Sequence, residues 1–136
     1  MGTRSRIGVA DSHGIITSVY SHWDGYPAHV GKLLATVYNT EGDARELVSL
    51  GNISSLGERL HPDPDQPHTF TDAVPGVTVF YERDRGEEDQ AASDHTDADW
   101  PSCGQEWLYL WMEGLGWHYR QPDEAGWHLL SEHPDI

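Results

Sequence analysis

Two histidines, a carboxylate and two aromatic rings stand within eight residues, His22-Trp23-Asp24-Gly25-Tyr26-Pro27-Ala28-His29. Imidazole and carboxylate groups suit zinc or iron, so His22, Asp24 and His29 are the first candidates for a metal site. Their spacing matches no strong ligand motif and no cysteine lies nearby, so no metal is expected. The same groups serve equally well as helix caps and hydrogen-bond braces at an element boundary. A third reading takes His22, Trp23, Asp24 and Tyr26 as the lining of a polar, aromatic pocket for a small nucleotide-type ligand.

A second concentration is acidic. Glu82, Asp84, Glu87, Glu88, Asp89, Asp94, Asp97 and Asp99 follow one another against only Arg83 and Arg85. Such carboxylates can stand in for phosphates on a partner's basic channel. Duplex DNA carries one charge per ~1.7 Å of axis, so imitation needs many carboxylates held on one face. The whole chain shares this bias: 23 acidic against 8 basic residues give a formal net charge of -15, with Lys32 the only lysine. That surface repels nucleic-acid phosphates and anionic membranes and is drawn to basic proteins. It also serves plain solubility or adaptation to salt, and charge speaks to association rather than fold.

Catalytic patterns are missing. No Gly-x-Ser-x-Gly nucleophile and no Gly-rich phosphate loop occurs, and Cys103 follows an acidic run that disfavours a thiolate. No carboxylate sits in a context that would bury it and tune it as an acid or base. The expectation is a protein without enzymatic activity and without a cofactor.

The elements that must position these groups follow from periodicity. Ile7 and Val9, then Ile15, Thr17 and Val19, alternate on either side of the turn cluster Asp11-Ser12-His13-Gly14, which predicts an antiparallel hairpin. Pro27 suits a first helical turn, and Val30, Leu33, Leu34 and Val37 mark one buried helical face. Gly31 inside that helix costs about 1 kcal/mol relative to Ala, which a close approach of the sheet or of a ring such as Trp23 would explain. Residues 44–50 predict a shorter helix capped by Thr40 or Asp43, and residues 52–57 an ordered loop.

Residues 77–81 predict a strand, and residues 106–112, 117–120 and 127–130 predict three more. The aromatic side of the later strands, Trp107, Tyr109, Trp111, Trp117 and Tyr119, fits a core. A stacking platform for bases is the other reading, and the shortage of basic residues counts against it. Three prolines between His61 and Pro67, and the acidic run without large apolar residues, predict mobile loops near residues 61–76 and 82–101. The expected fold is a single α+β domain over residues 1–136, an antiparallel β-sheet with two α-helices packed on one face.

One cysteine excludes an internal disulfide framework, and the N-terminal residues form no apolar leader, so a cytoplasmic protein is expected. No run approaches the length of a membrane span. The pattern Arg4-Ser5-Arg6-Ile7-Gly8, His22-Trp23-Asp24-Gly25-Tyr26-Pro27, Val30-Gly31 and Leu50-Gly51-Asn52-Ile53-Ser54-Ser55-Leu56 resembles a widespread family of small bacteriophage and prophage proteins. Gly104-Gln105-Glu106-Trp107-Leu108-Tyr109-Leu110 continues the likeness, which spares only the loops between about Pro62 and Asp99. The resemblance implies a phage context and a host-cell cytoplasm. Small acidic phage proteins include inhibitors of host defence, among them anti-CRISPR proteins that imitate DNA. The expected partner is therefore the basic surface of a host nucleic-acid-binding protein or defence complex, with no direct contact to nucleic acid or membrane. The alternative is the small-ligand binder at the His-Trp-Asp-Gly-Tyr corner.

Overall fold

The computed structural model describes residues 2–136, and its first hairpin follows from local chemistry. β1 (Ser5–Ala10) and β2 (Ile16–Ser21) pair antiparallel, with Ile7 opposite Val19. Asp11 closes the turn: its Oδ1 accepts from the backbone N–H groups of His13 at 2.8 Å and Ile15 at 2.9 Å. Gly14 completes it at φ +80°, a left-handed value that a side chain disfavours.

Six more strands follow: β3 (Ile53–Ser55), β4 (Val79–Phe80), β5 (Ser93–His95), β6 (Trp107–Met112), β7 (Gly116–Arg120) and β8 (His128–Leu129). They form one eight-stranded sheet in the order β4-β3-β2-β1-β6-β7-β8, with β5 paired to β2. β6 runs parallel to β1, β3 runs parallel to β2, and the remaining pairs are antiparallel. The sheet of this α+β protein is therefore mixed, which corrects the expected antiparallel arrangement. Short turns force neighbouring strands to run in opposite directions, whereas a parallel neighbour requires a long crossover. The connections from β1 to β6 and from β2 to β3 are of the second kind.

Pro27–Gly31 forms a π-helical turn that runs into α1 (Lys32–Thr36), and α2 (Glu41–Ser49) follows. Of the expected helical face, Val30 and Leu34 are buried, but α1 stops at Thr36 and leaves Val37 exposed. Gly31 does answer a close approach. A Cβ there would lie 3.3 Å from Leu130 Cδ1 and 3.4 Å from Tyr109 Cε1, so the crowding ring is Tyr109 rather than Trp23. Thr40 is the cap of α2, its hydroxyl accepting from the Asp43 N–H at 3.1 Å.

Ile7, Val9 and Val19 share one buried cluster with Tyr109, Trp111 and Trp117, and with Val30, Leu34, Leu47 and Val48 from the helical segments. The three rings are thus core, each gaining the large burial that aromatics supply. Trp111 and Trp117 meet edge to face at 5.6 Å, and Trp117 Nε1 donates to the Tyr38 carbonyl at 3.0 Å.

Regular structure also enters the segment expected as an acidic loop. α3 (Tyr81–Arg85) and β5 lie within it, and β5 pairs residue by residue with Ile16, Thr17 and Ser18. The following chain lays Trp100 near Gly8 of β1, where a Cβ would stand 3.1 Å from the indole. In the proline-rich stretch, the His68 side chain is almost fully buried and accepts from the Val74 N–H at 3.0 Å. Among the described residues, no helix is long and apolar enough to cross a membrane.

Candidate functional site

The corner after β2 is held by backbone bonds on both sides. His22 and Trp23 N–H groups donate to the carbonyls of Ile53 and Ser54 at 3.1 and 3.0 Å, which extends the β2–β3 pairing. Asp24 then takes a left-handed conformation, φ +55°, and turns the chain away from the sheet. Gly25 presses onto β1: its N–H donates to the Thr3 carbonyl at 2.7 Å, and a Cβ would lie 2.7 Å from Ser5. Its carbonyl accepts from the Tyr109 hydroxyl at 2.7 Å, a buried bond between β6 and the corner.

His22 and Trp23 face a cleft of about 350 Å³ that they share with Gly2, Arg4, Gly104 and Glu106. The two rings meet edge to face at 4.6 Å, and Trp23 is 44% exposed. His22 Nδ1 shares a 2.5 Å hydrogen bond with the Tyr20 hydroxyl. Partial burial, reinforced by the Arg4 charge, holds the His22 pKa below its ordinary value, so the ring is neutral at pH 7. Burial likewise raises the Tyr20 pKa, which keeps the phenol protonated.

Asp24 and Tyr26, expected beside them, do not line this cleft. They bond to each other instead, Tyr26 donating to Asp24 Oδ1 at 3.3 Å, and that carboxylate raises the Tyr26 pKa. His29 lies elsewhere again, on a cleft of about 360 Å³ with Lys32, Leu56 and Glu58, its Nε2 3.2 Å from the Leu56 carbonyl. His22, Asp24 and His29 are therefore not gathered around a common point, and no three His, Cys, Asp or Glu side chains among the described residues form such a group. Sequence reasoning missed Arg4 and Glu106. They meet because the Glu106 N–H donates to the Arg4 carbonyl at 2.8 Å, where the chain enters the parallel pair β1–β6.

The acidic run divides into spent and free carboxylates. The Asp84 side chain is almost wholly buried and accepts from the Phe80 N–H at 2.8 Å and from Arg83 Nε at 2.9 Å, with His68 Nε2 3.3 Å away. Burial alone would raise its pKa, but the Arg83 and Phe80 bonds outweigh it and hold the carboxyl below the usual range. Asp97 accepts from Trp100 Nε1 at 2.8 Å, Trp127 Nε1 at 3.2 Å and Arg120 at 3.3 Å. Here too burial opposes these three bonds, and the bonds prevail in lowering the pKa. Asp94 accepts from the Thr17 hydroxyl at 2.7 Å, Asp99 lies 3.4 Å from the Thr96 hydroxyl, and Glu87 pairs with Arg85 at 3.2 Å. Glu82, Glu88 and Asp89 are exposed.

The cations are spent in the same way. Arg45, Arg59, Arg83, Arg85 and Arg120 each pair with a carboxylate, at 3.8, 3.1, 2.9, 3.2 and 3.3 Å. Arg6 is buried beneath the loop that covers the sheet, where its Nη1 lies 4.0 Å from Cys103 Sγ. Among the described residues, Arg4 and Lys32 are the exposed basic side chains with no carboxylate at pairing distance, and each lines a cleft. Eighteen of the 23 acidic residues are exposed. Compared with known proteins, the chain matches no family model, no curated protein and no solved structure.

Proposed function

We propose that this protein is a phage-type inhibitor of a host defence system, working without catalysis in the host cytoplasm. Its anionic surface occupies a basic, nucleic-acid-binding groove on a host complex. The observation that carries this reading is the near-complete pairing or burial of its cations, which leaves Arg4 and Lys32 against sixteen exposed acidic residues that pair with no arginine. The anionic face is drawn from more than the 82–99 run. By strand register, the turns bearing Asp11 and Glu113 lie at the same end of the sheet, with Asp94 of β5 near them. A folded sheet fixes such charges more firmly than a mobile loop would. In this reading α1 and α2 lie on one face of the sheet and the segment bearing Trp100 and Cys103 covers the other, so the turn end is left to meet a partner.

Capture of partners from a host lysate tests the reading, with the wild type set against a variant neutralised at Glu82, Glu88, Asp89 and Asp99. A nucleic-acid-binding protein retained by the wild type, released by raised salt and lost in the variant is the expected result. Retention indifferent to salt and to the four charges removes it.

A second reading, a small-ligand binder of the nucleotide type, is favoured by one observation: Trp23 and His22 border a cleft with an unpaired Arg4. A ring stacked on Trp23 with its phosphate toward Arg4 would use both. A nucleotide panel that leaves the melting temperature unmoved at millimolar concentration removes that option.

A further inference from the structure

The nucleotide reading leaves part of the cleft beside Trp23 unused. Ser5 of β1 pairs with Ser21 on one side and with Trp107 on the other. One residue before β1, the same register sets His22, Arg4 and Glu106 in a row across the end of β2, β1 and β6, and all three line the cleft. Arg4 and Glu106 are both exposed, and among the described residues neither is held in an ion pair, although their backbones are bonded to each other. Gly104, at φ +77°, lets the Arg4 guanidinium lie against bare backbone, since a Cβ there would stand 2.9 Å from Nη1. The Tyr20 hydroxyl has no other acceptor among the described residues, so it is assigned as the donor to His22 Nδ1. A neutral imidazole that accepts at Nδ1 carries its proton on Nε2, and no described group takes it there.

One cation, one anion and one half-exposed ring thus border the same opening, each free to meet a ligand. We propose that this cleft binds a free α-amino acid with an apolar side chain, as a zwitterion. Its carboxylate meets Arg4 and the His22 Nε2–H, its ammonium meets Glu106, and its side chain lies along Trp23. The proposal shares the cleft of the second reading and replaces its ligand. Charge favours the replacement. A phosphate brings negative charge to a protein of formal net charge -15, whereas a zwitterion brings none. Its two charged groups sit on one carbon, which suits two side chains from neighbouring strands ~4.8 Å apart. An exposed ion pair contributes little, so a ligand that comes between Arg4 and Glu106 forfeits little. The volume, about 350 Å³, is near the lower edge of the ~300–1,000 Å³ usual for ligand pockets, as a small ligand requires.

The test is isothermal titration calorimetry of the purified protein with L-leucine and L-phenylalanine, with the N-acetyl and amide forms of each, and with AMP, at matched ionic strength. Saturable binding of at least one free amino acid is expected, weakened about tenfold or more when either of its ends is blocked. Arg4→Gln and Glu106→Gln, both at exposed positions, should each cost a similar factor, the loss of one hydrogen bond to a charged group. The blocked ligands need only the wild type, so they decide the matter if a variant fails to fold. No saturable response to either amino acid overturns the proposal, and so does binding that survives N-acetylation or Glu106→Gln. Binding of AMP alone, lost in Arg4→Gln and kept in Glu106→Gln, overturns the proposal while supporting the nucleotide reading. No response to any of these ligands removes both.

Discussion

Asp97 and Asp99 sit two residues apart in the same acidic run, yet the structure assigns them opposite duties, and Asp97→Ala against Asp99→Ala measures the difference. Asp97 ties two indole N–H groups and the buried Arg120 guanidinium to one carboxylate. Each neutral hydrogen bond is worth a net ~0.5–1.5 kcal/mol, and one to a charged group ~1.5–3. Breaking a fully buried ion pair by removing one partner costs ~3–5 kcal/mol. Half of the Asp97 side chain is exposed, so water replaces part of what is lost. Arg120 also keeps its three carbonyl acceptors. The expected cost is therefore about 2–3 kcal/mol for Asp97→Ala, against about 0.5 kcal/mol or less for Asp99→Ala, an ordinary surface change. Urea unfolding followed by tryptophan fluorescence is the assay, with the slope held constant so that midpoints report stability. The Asp97 variant should also show altered native fluorescence, because both indoles lose their acceptor. Equal midpoints for the two variants would refute the assignment and return Asp97 to the pool of free surface charge.

Tyr109→Phe removes the hydroxyl that bonds the Gly25 carbonyl and should cost about 1–3 kcal/mol, measured by chemical denaturation, with little change in core volume. Gly25→Ala places a methyl 2.7 Å from Ser5 and should destabilise by about 1–3 kcal/mol, visible as a lower melting temperature. The Asp84 carboxyl has a folded pKa below its unfolded value of ~3.9, so its contribution is present above pH ~4 and is lost as the pH falls further. Asp84→Asn should accordingly flatten the acid limb of the stability profile, and an unchanged limb would assign acid sensitivity to other carboxylates.

How much of this was legible from residue order varies with the distance over which each feature is decided. The β1–β2 hairpin was legible because Asp11, Gly14 and the flanking alternation act within a few residues. The aromatic core was legible too, since Trp107, Tyr109 and Trp111 announce one side of a strand. The direction of β6 relative to β1 was not, because nothing local distinguishes a parallel from an antiparallel neighbour after a long crossover. That one pairing also concealed the cleft: Arg4 and Glu106 are remote in sequence and meet only through it. The acidic run misled for a similar reason. Asp84 and Asp97 look like their neighbours, but their partners His68, Arg120 and Trp127 lie 16, 23 and 30 positions away.

β1 precedes the other strands of its sheet along the chain and ends up in the middle of it, flanked by a strand made at once and another made about a hundred residues later. Closing so long a loop delays the reward for ordering the chain and raises the contact order that slows folding. During synthesis, Ile7 and Val9 therefore wait beside the young hairpin with one flank unpaired until Tyr109 and Trp111 arrive. A nascent chain halted before residue 107 carries an open, apolar strand edge of the kind that recruits other chains. Synthesis of residues 107–120 is what covers that edge and turns an aggregation hazard into a paired sheet.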